Sequence, residues 1–479
     1  MKIQGIAGFA LFCFLTLPLQ AQDAPGHSEA ERLQKLENAV RQLQQRNTDL
    51  QNEVQQLKAK SPFAPAISGT ETKPIAGNDN KAVFTAPPPP LVNVHPGSSE
   101  YKLTLGGYMQ ANFEDGDVSA FEGRFGATAL KDRFRWRRVR ISLTGDFSEQ
   151  FDFKVEGDFE QSDSAITALK SVNTATGATT TVSTANRTEF SGTDIFINWH
   201  AIPEMNVKVG QWKAPFGLEN LTPDSLIYSI ERSLPTGAIA PERQIGAMVW
   251  GKPLANAAPD YKDFVTYYAG AFNGNGRNFN NNDNNEFMYV GRLELQPFAG
   301  KVMGQEASLK LGADYFHSRD EAGTNISPSL NLRVNPDGSL TSYVLTSADE
   351  RNAFSFDAWL KIGPFDLIGE YLEEHVNGRT VSGVPGFPDF VTDGFYVQGS
   401  YFIVPKKLQA AVKWEALNPG QLGNDGIHSI TGGLNYYIHA DNVKLMADYV
   451  HTWSDFREAN PQFGDAQFDE VLLRLQVVF

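Results

Sequence analysis

The residues with the clearest chemical content are charged side chains at two-residue spacing. Arg138 and Arg140 alternate with Val139, Ile141 and Leu143, and Lys154 sits between Phe153 and Val155 as Lys208 sits between Val207 and Val209. In an extended chain this spacing sends the charges to one face and the apolar residues to the other. A charge facing hydrocarbon near the midplane costs about 2–4 kcal/mol, so an apolar face turned to lipid would leave the charges in an aqueous interior. There Arg138, Arg140, Lys154 and Lys208 form a lumen basic ladder that would attract anions. The same alternation turns Arg292, Lys310, Lys413, Lys444 and Arg474 inward, together with Asp146, Asp152, Glu156, Asp158, Asp194, Glu294, Asp314, Asp366, Glu370, Glu415 and Asp448. Opposed signs across a lumen orient passing solutes. Arg138 and Arg140 also have a purely structural reading, as partners of Glu156 or Asp158 on the next strand.

Catalytic chemistry finds no foothold. The eight histidines are scattered, none at metal-ligand spacing, and there is no nucleophile elbow. No residue set points to a catalytic group, a metal or a cofactor. The Gly270 to Gly276 stretch follows an alternating segment and precedes an Asn-rich run, which reads as an exposed loop. The formal net charge of −15, with no global basic excess, argues against a nucleic-acid partner.

The elements that must carry these side chains are strands. The 479 residues are 41% hydrophobic, 20% charged and 11% aromatic, with a mean hydropathy of −0.32. Helical membrane spans need about 20 consecutive apolar residues, whereas barrel strands only alternate. Sixteen alternating segments can be counted from 101–113 to 466–479. The last has Val471, Leu473, Leu475, Val477 and Phe479 on one face and Arg474 and Gln476 on the other. Tight links (Ser148-Glu149, Pro203-Glu204, Gly363-Pro364, Pro405-Lys406, Ala440) alternate with long ones (114–133, 162–191, 214–241, 318–351, 375–391, 454–465). Two links on the tight side, 252–260 and 298–306, are longer. This asymmetry predicts an all-β, 16-stranded antiparallel transmembrane β-barrel over 101–479, with short periplasmic turns and longer external loops. A soluble β-sandwich also alternates, but the even strand count, the loop asymmetry and the terminal Phe479 favour the barrel.

Ahead of it, residues 1–21 read as a signal peptide cleaved after Ala21. Cys13 lies within it, so the mature chain would carry no disulfide and no thiolate metal site. Residues 29–60 carry an a/d seam of Leu33, Leu36, Val40, Leu43, Asn47, Leu50, Val54 and Leu57, predicting a periplasmic coiled coil. Val at a, Leu at d and one polar Asn47 lean toward a dimer, while the barrel context below leans toward a trimer. Residues 61–100, with Pro87 to Pro90, read as a stiff linker unable to join a ladder.

The runs Arg137-Arg138-Val139-Arg140-Ile141-Ser142-Leu143, Lys208-Val209-Gly210-Gln211-Trp212-Lys213-Ala214-Pro215-Phe216-Gly217-Leu218-Glu219, Ile230-Glu231-Arg232-Ser233-Leu234-Pro235 and Arg243-Gln244-Ile245-Gly246 resemble the phosphate-selective porin O/P family. The resemblance covers about 101–479. It implies a sixteen-stranded outer-membrane barrel, usually a homotrimer, whose third long loop folds inward; here that is 214–241. The pore-constriction or solute-binding set would be Lys213, Glu219, Glu231, Arg232 and Arg243. The family's phosphate-selective members line the constriction with lysines and arginines. Between Ala214 and Ala240 this chain has Glu219, Asp224, Glu231 and Arg232 and no lysine, and with the −15 this leaves anion against cation preference open. The expected function is passive diffusion of small hydrophilic solutes across the outer membrane, including anions such as phosphate or pyrophosphate. The alternative is a structural anchor, with the coiled coil tying the membrane to the periplasm or cell wall.

Overall fold

The computed structural model describes residues 101–116, 132–159, 191–241, 243–282, 284–320, 348–378, 389–420, 423–459 and 465–479. It also describes the short segments 92–94, 169–172, 179–182, 332–334 and 340–342, and residues 45 and 461. The chain divides into two compact units, Met1–Asn78 and Asp79–Phe479. The expected signal peptide (1–21) and coiled coil (29–60) lie outside the described residues apart from Gln45, so the structure speaks to the second unit.

That unit is a closed barrel of sixteen antiparallel strands. They are β1 (Tyr101–Gly116), β2 (Arg133–Phe147), β3 (Phe151–Asp158), β4 (Ser191–Trp199), β5 (Asn206–Lys213), β6 (Arg243–Gly251), β7 (Val265–Phe272) and β8 (Met288–Val302). The second half comprises β9 (Gln305–Asp320), β10 (Ala348–Ile362), β11 (Phe365–Gly378), β12 (Phe390–Val404), β13 (Leu408–Asn418), β14 (Ile427–His439), β15 (Val443–Ser454) and β16 (Gln467–Val478). Each pairs with its sequence neighbour, and β16 returns to β1 in a register running from Tyr108↔Val478 to Gly116↔Glu470. Phe479 and Gly107 exchange two main-chain hydrogen bonds of 3.0 Å at the end of this seam.

Alternation sets the two faces. Along β16, Val471, Leu473 and Leu475 are exposed, while Leu472, Arg474 and Gln476 are at most 4% exposed. Arg474 therefore points into the interior, as the cost of a lipid-facing charge requires. The outer face is apolar, with Ile197, Val209, Val412 and Leu434 each more than half exposed, and carries aromatic side chains such as Trp136, Tyr289, Tyr315, Trp414 and Tyr449.

Turns of two or three residues close most of the tight side: two at Met303-Gly304 and Gly363-Pro364, three at 148–150, 405–407 and 440–442. Met303 and Gly304 have φ of 50° and 77°, and positive φ at both central positions matches the twist of the flanking strands; in the three-residue turn 148–150, Ser148 and Glu149 also have positive φ, 58° and 54°. The Met303-Gly304 turn corrects the expected link at 298–306, which is strand except for these two residues. A bulge between Leu295 and Phe298, at Gln296-Pro297, breaks the alternation and made the strand look finished. The link after β6 is long, as expected, and contains a 3-10 turn, Pro259–Tyr261. The spacer 61–100 also needs correction. Val92–Val94 pairs with Leu103–Leu105 of β1, continuing the edge that β16 leaves beyond Phe479. Two β-branched residues in three suffice for this short ladder.

Val412 and Lys413 sit side by side on opposite faces, the one 54% and the other 1% exposed. Val412→Arg should destabilise the vesicle-inserted barrel by about 2–4 kcal/mol, read from its urea unfolding curve, whereas Val412→Leu should leave that curve in place.

Candidate functional site: the constriction inside the barrel

The chain between β5 and β6 enters the lumen. Ala214 and Phe216 are fully buried, and the Phe216 ring meets Phe316 of β9 edge-on at 5.0 Å. Gly217 then turns with φ 79°. A Cβ there would lie 2.9 Å from Glu370 Oε1 and would have to displace that carboxylate, while the positive φ favours glycine. Two short helices follow, α1 (Leu218–Leu221) and α2 (Leu234–Ile239). Ser233 caps α2 by accepting from Thr236 N, with Pro235 in its first turn.

A segment crossing a lumen needs partners for its main chain. The wall supplies them. Asp314 of β9 accepts from Gly217 N at 3.0 Å, and Glu370 of β11 accepts from Leu218 N and Glu219 N at 2.9 and 3.0 Å. Glu415 of β13 accepts from Leu234 N at 2.9 Å, and Asp448 of β15 accepts from Ile230 N at 2.6 Å. Donors from the wall take the loop's carbonyls: Lys444 donates to Ile227 O, Asn435 to Tyr228 O, Lys413 to Glu231 O and Gln110 to Asp224 O. The Arg474 guanidinium donates to Ile230 O.

The loop's own carboxylates are held by arginines. Asp224 lies 2.8 Å from Arg140 Nη1 and 3.3 Å from Arg138 Nε, is paired with Arg232, and accepts from the Tyr108 hydroxyl at 3.0 Å. Glu231 is gripped by Arg137 through two parallel bonds of 2.6 and 2.8 Å and by Arg474 at 2.9 Å. Burial pushes both carboxyls up, but these cations overcome it and hold Asp224 well below, and Glu231 below, the usual carboxylate range. Glu219 accepts from Ser233 N and from Ser233 Oγ.

Arg137 reaches Glu231 because of a bulge. Gln110 pairs with Arg138 and Ala111 with Trp136, leaving Arg137 as the extra residue. Strict alternation would have put Arg137 beside Val139 on the lipid face.

The loop leaves an opening against β1 to β6. This cavity of about 250 Å³ is lined by Tyr108, Arg140, Lys154, Glu156, Asp194, Phe196, Lys208, Trp212, Lys213 and Arg243 on the wall, and by Leu221, Pro223, Asp224 and Ser225 on the loop. Five cationic side chains (Arg140, Lys154, Lys208, Lys213, Arg243) face three carboxylates (Glu156, Asp194, Asp224), a formal excess of two positive charges. Lys154 bridges Glu156 and Asp194 at 2.8 and 3.0 Å, and Arg243 lies 2.7 Å from Asp194. Lys213 donates to Asn220 O at 2.6 Å. Lys208 differs from these: among the described residues it forms no ion pair, and its ammonium sits 3.7 Å from the centroid of Phe196 and 5.4 Å from that of Trp212.

The residues expected at the constriction thus divide. Lys213 and Arg243, with Arg140, Lys154 and Lys208 of the expected ladder, line the opening. Glu219, Glu231 and Arg138 are 7%, 5% and 5% exposed and fasten the loop instead. Arg232 braces it through Asp224 and the carbonyls of Glu219 and Thr222. The structural pairing envisaged for Arg140 is present, with Asp158 at 2.7 Å and Glu156 at 3.9 Å. Asp224 and Arg137 were not singled out from sequence. The charge of Asp224 was visible, but nothing marked it as the point where Arg138, Arg140, Arg232 and, at 4.0 Å, Lys213 meet.

Residues 104–479 match the family model for phosphate-selective porin O and P. No curated protein matches by sequence. Among solved structures, the chain is similar to the anion-selective porin from Comamonas acidovorans (12% identity, TM-score 0.49), covering 79% of this chain and all of that one. It is also similar to a loop L8 deletion mutant of the outer membrane protein OmpT of Vibrio cholerae (12%, 0.49, covering 80% and 100%). The outer membrane channel DcaP of Acinetobacter baumannii (13%, 0.48, covering 81% and 100%) is a third.

Removing one partner from a buried charge cluster costs about 3–5 kcal/mol, so Asp224→Asn should lower urea stability on that scale at neutral pH. A carboxylate depressed by folding contributes fully above its unfolded value, and the contribution fades as pH falls through the lower folded value. The gap between wild type and Asp224→Asn should therefore stay constant from about pH 8 to pH 5 and narrow below about pH 4. A gap that closes between pH 7 and 5 would contradict this assignment.

Proposed function

We propose, for a chain that belongs to the phosphate-selective porin O and P family, that its channel prefers small anions, inorganic phosphate among them. As a member of that family it is an outer-membrane porin, and its barrel passes small solutes. The anion preference is the finer step, and one observation carries it: the excess of two positive charges around the 250 Å³ opening, with Lys208 in no ion pair among the described residues.

The −15 of the whole chain does not oppose this reading. Exposed charges are screened over about 8–10 Å at ordinary ionic strength, so distant carboxylates contribute little field at the opening. Many inner-wall carboxylates are also occupied by the loop's N–H groups or by arginines. An anion at the narrow point meets Lys208, Lys213 and Arg243 at short range, where cationic side chains in a low-dielectric wall act most strongly. No catalytic role is part of this reading.

The assembly proposed is a homotrimer, with 1–21 removed, 29–60 as a periplasmic coiled coil and 61–100 as the spacer joining it to the barrel, Val92–Val94 of that spacer pairing with β1. The strict heptad seam supports self-association.

In a planar bilayer under a potassium chloride gradient, the purified protein should reverse on the chloride side of zero, and millimolar phosphate should reduce the chloride current. Lys208→Glu should at least halve the chloride-over-potassium permeability ratio while open-channel conductance persists. A wild-type channel that favours potassium would remove the anion assignment. Deleting 29–60 should leave a folded, conducting barrel whose oligomer dissociates at lower detergent concentration or temperature, as read by native mass measurement.

A further inference from the structure

A second cavity, of about 170 Å³, lies on the inner wall toward the short-turn end of the barrel, and shares no lining residue with the opening at the constriction. Its centre is an aromatic pair, Trp250 of β6 and Tyr268 of β7. The two residues are direct cross-strand partners. Their rings are nearly parallel, 12° apart with centroids 6.1 Å from each other. Both sit on the inward-facing phase of their strands, and both are half-buried.

The polar atoms of the pair are already engaged in the wall. Trp250 Nε1 donates to Asn198 Oδ1 at 3.0 Å, and the Tyr268 hydroxyl donates to Glu294 Oε2 at 3.3 Å. What the pair offers the lumen is therefore ring face. Around it stand two cations, Lys252 and Lys310, and two carboxylates, Asp263 and Glu294, which balance in charge. Trp250 lies two residues beyond Met248, the cross-strand partner of Lys208, so the cavity adjoins the basic end of the opening on its short-turn side, while Arg243 lies about 23 Å of extended strand away. A small solute meets the two places in turn.

We propose that this cavity is a subsite for a neutral polyhydroxylated ring of hexose size. The C–H face of a pyranose stacks on aromatic faces, and its hydroxyls use donors and acceptors together. A charge-balanced set of ammonium and carboxylate groups supplies both. A planar aromatic carboxylate would also stack, but with Lys252 paired to Asp263 and Glu294 held by Arg292 at 2.8 Å the lining has no formal cationic excess to draw it in. The aromatic shelf makes the solute-facing wall chemically different at its two ends: cationic at the constriction, flat and neutral at the turn side.

The proposal takes the chain as an open channel, and the test separates the two. Potassium chloride conductance in a planar bilayer reports the channel; reduction of that current by D-glucose, added to each side in turn, reports the subsite. A sugar of poor stacking shape, the open-chain polyol sorbitol at the same osmolality, corrects for viscosity. Glucose should reduce the current beyond the sorbitol control, and more strongly from the short-turn side. Trp250→Ala and Tyr268→Ala should each weaken the block about tenfold, the order expected for losing one ring contact, with conductance retained as evidence of folding. Trp250→Phe should recover most of it. Benzoate should block no more than acetate. Glucose acting only as sorbitol does, a block that survives both alanine variants, or a benzoate block exceeding that of glucose would each overturn the assignment while leaving the porin reading untouched.

Discussion

A backbone that crosses hydrocarbon has no water to bond to, so every N–H and C=O must find a partner within the protein. A sheet closed on itself meets that demand with no free edge, and the seam between β16 and β1 is where it is met last. Closure fixes which face of each strand meets lipid. Once that is fixed, every second side chain is committed to the interior, charged ones included. The interior then becomes the place where sixteen strands deliver acids and bases that also need partners.

The loop between β5 and β6 is the answer to that second demand. It brings main-chain N–H groups to Asp314, Glu370, Glu415 and Asp448, and carboxylates to Arg137, Arg138, Arg140 and Arg474. Wall and loop neutralise each other over most of the lumen. The charges that still face the opening are mainly basic, and among the described residues Lys154, Lys208 and Arg243 have no contact with the loop's carboxylates. Local selectivity is in this sense a remainder, which is why the acidic total composition was a poor guide to it.

The strands were legible in the sequence because lipid enforces period-two alternation over long stretches, and Arg474 could be turned inward from its neighbours alone. Legibility failed where one residue was added. The bulge at Gln296-Pro297 hid the end of β8, and the bulge at Arg137 hid an arginine that belongs to the site. It failed again where partners are far apart in sequence: Glu370 and Leu218 are 152 positions apart, Glu231 and Arg474 are 243. No local pattern reports such pairings. Lys213 and Arg243 were placed by their position at the two ends of the loop, and Trp250 with Tyr268 emerged only once strand register was known.

The position of Glu231 bears on the order of assembly. It joins Arg137 on β2 to Arg474 on β16, and the neighbouring Arg474 Nε donates to Asn112 of β1, 362 positions away. The loop therefore straps across the junction of the first and last strands. Until the C-terminal strand has been made and docked, Glu231 lacks Arg474, one of the two arginines that grip it. One clamp on the narrowing is thus supplied only by the last strand, so a barrel left open at its seam would hold its filter less firmly.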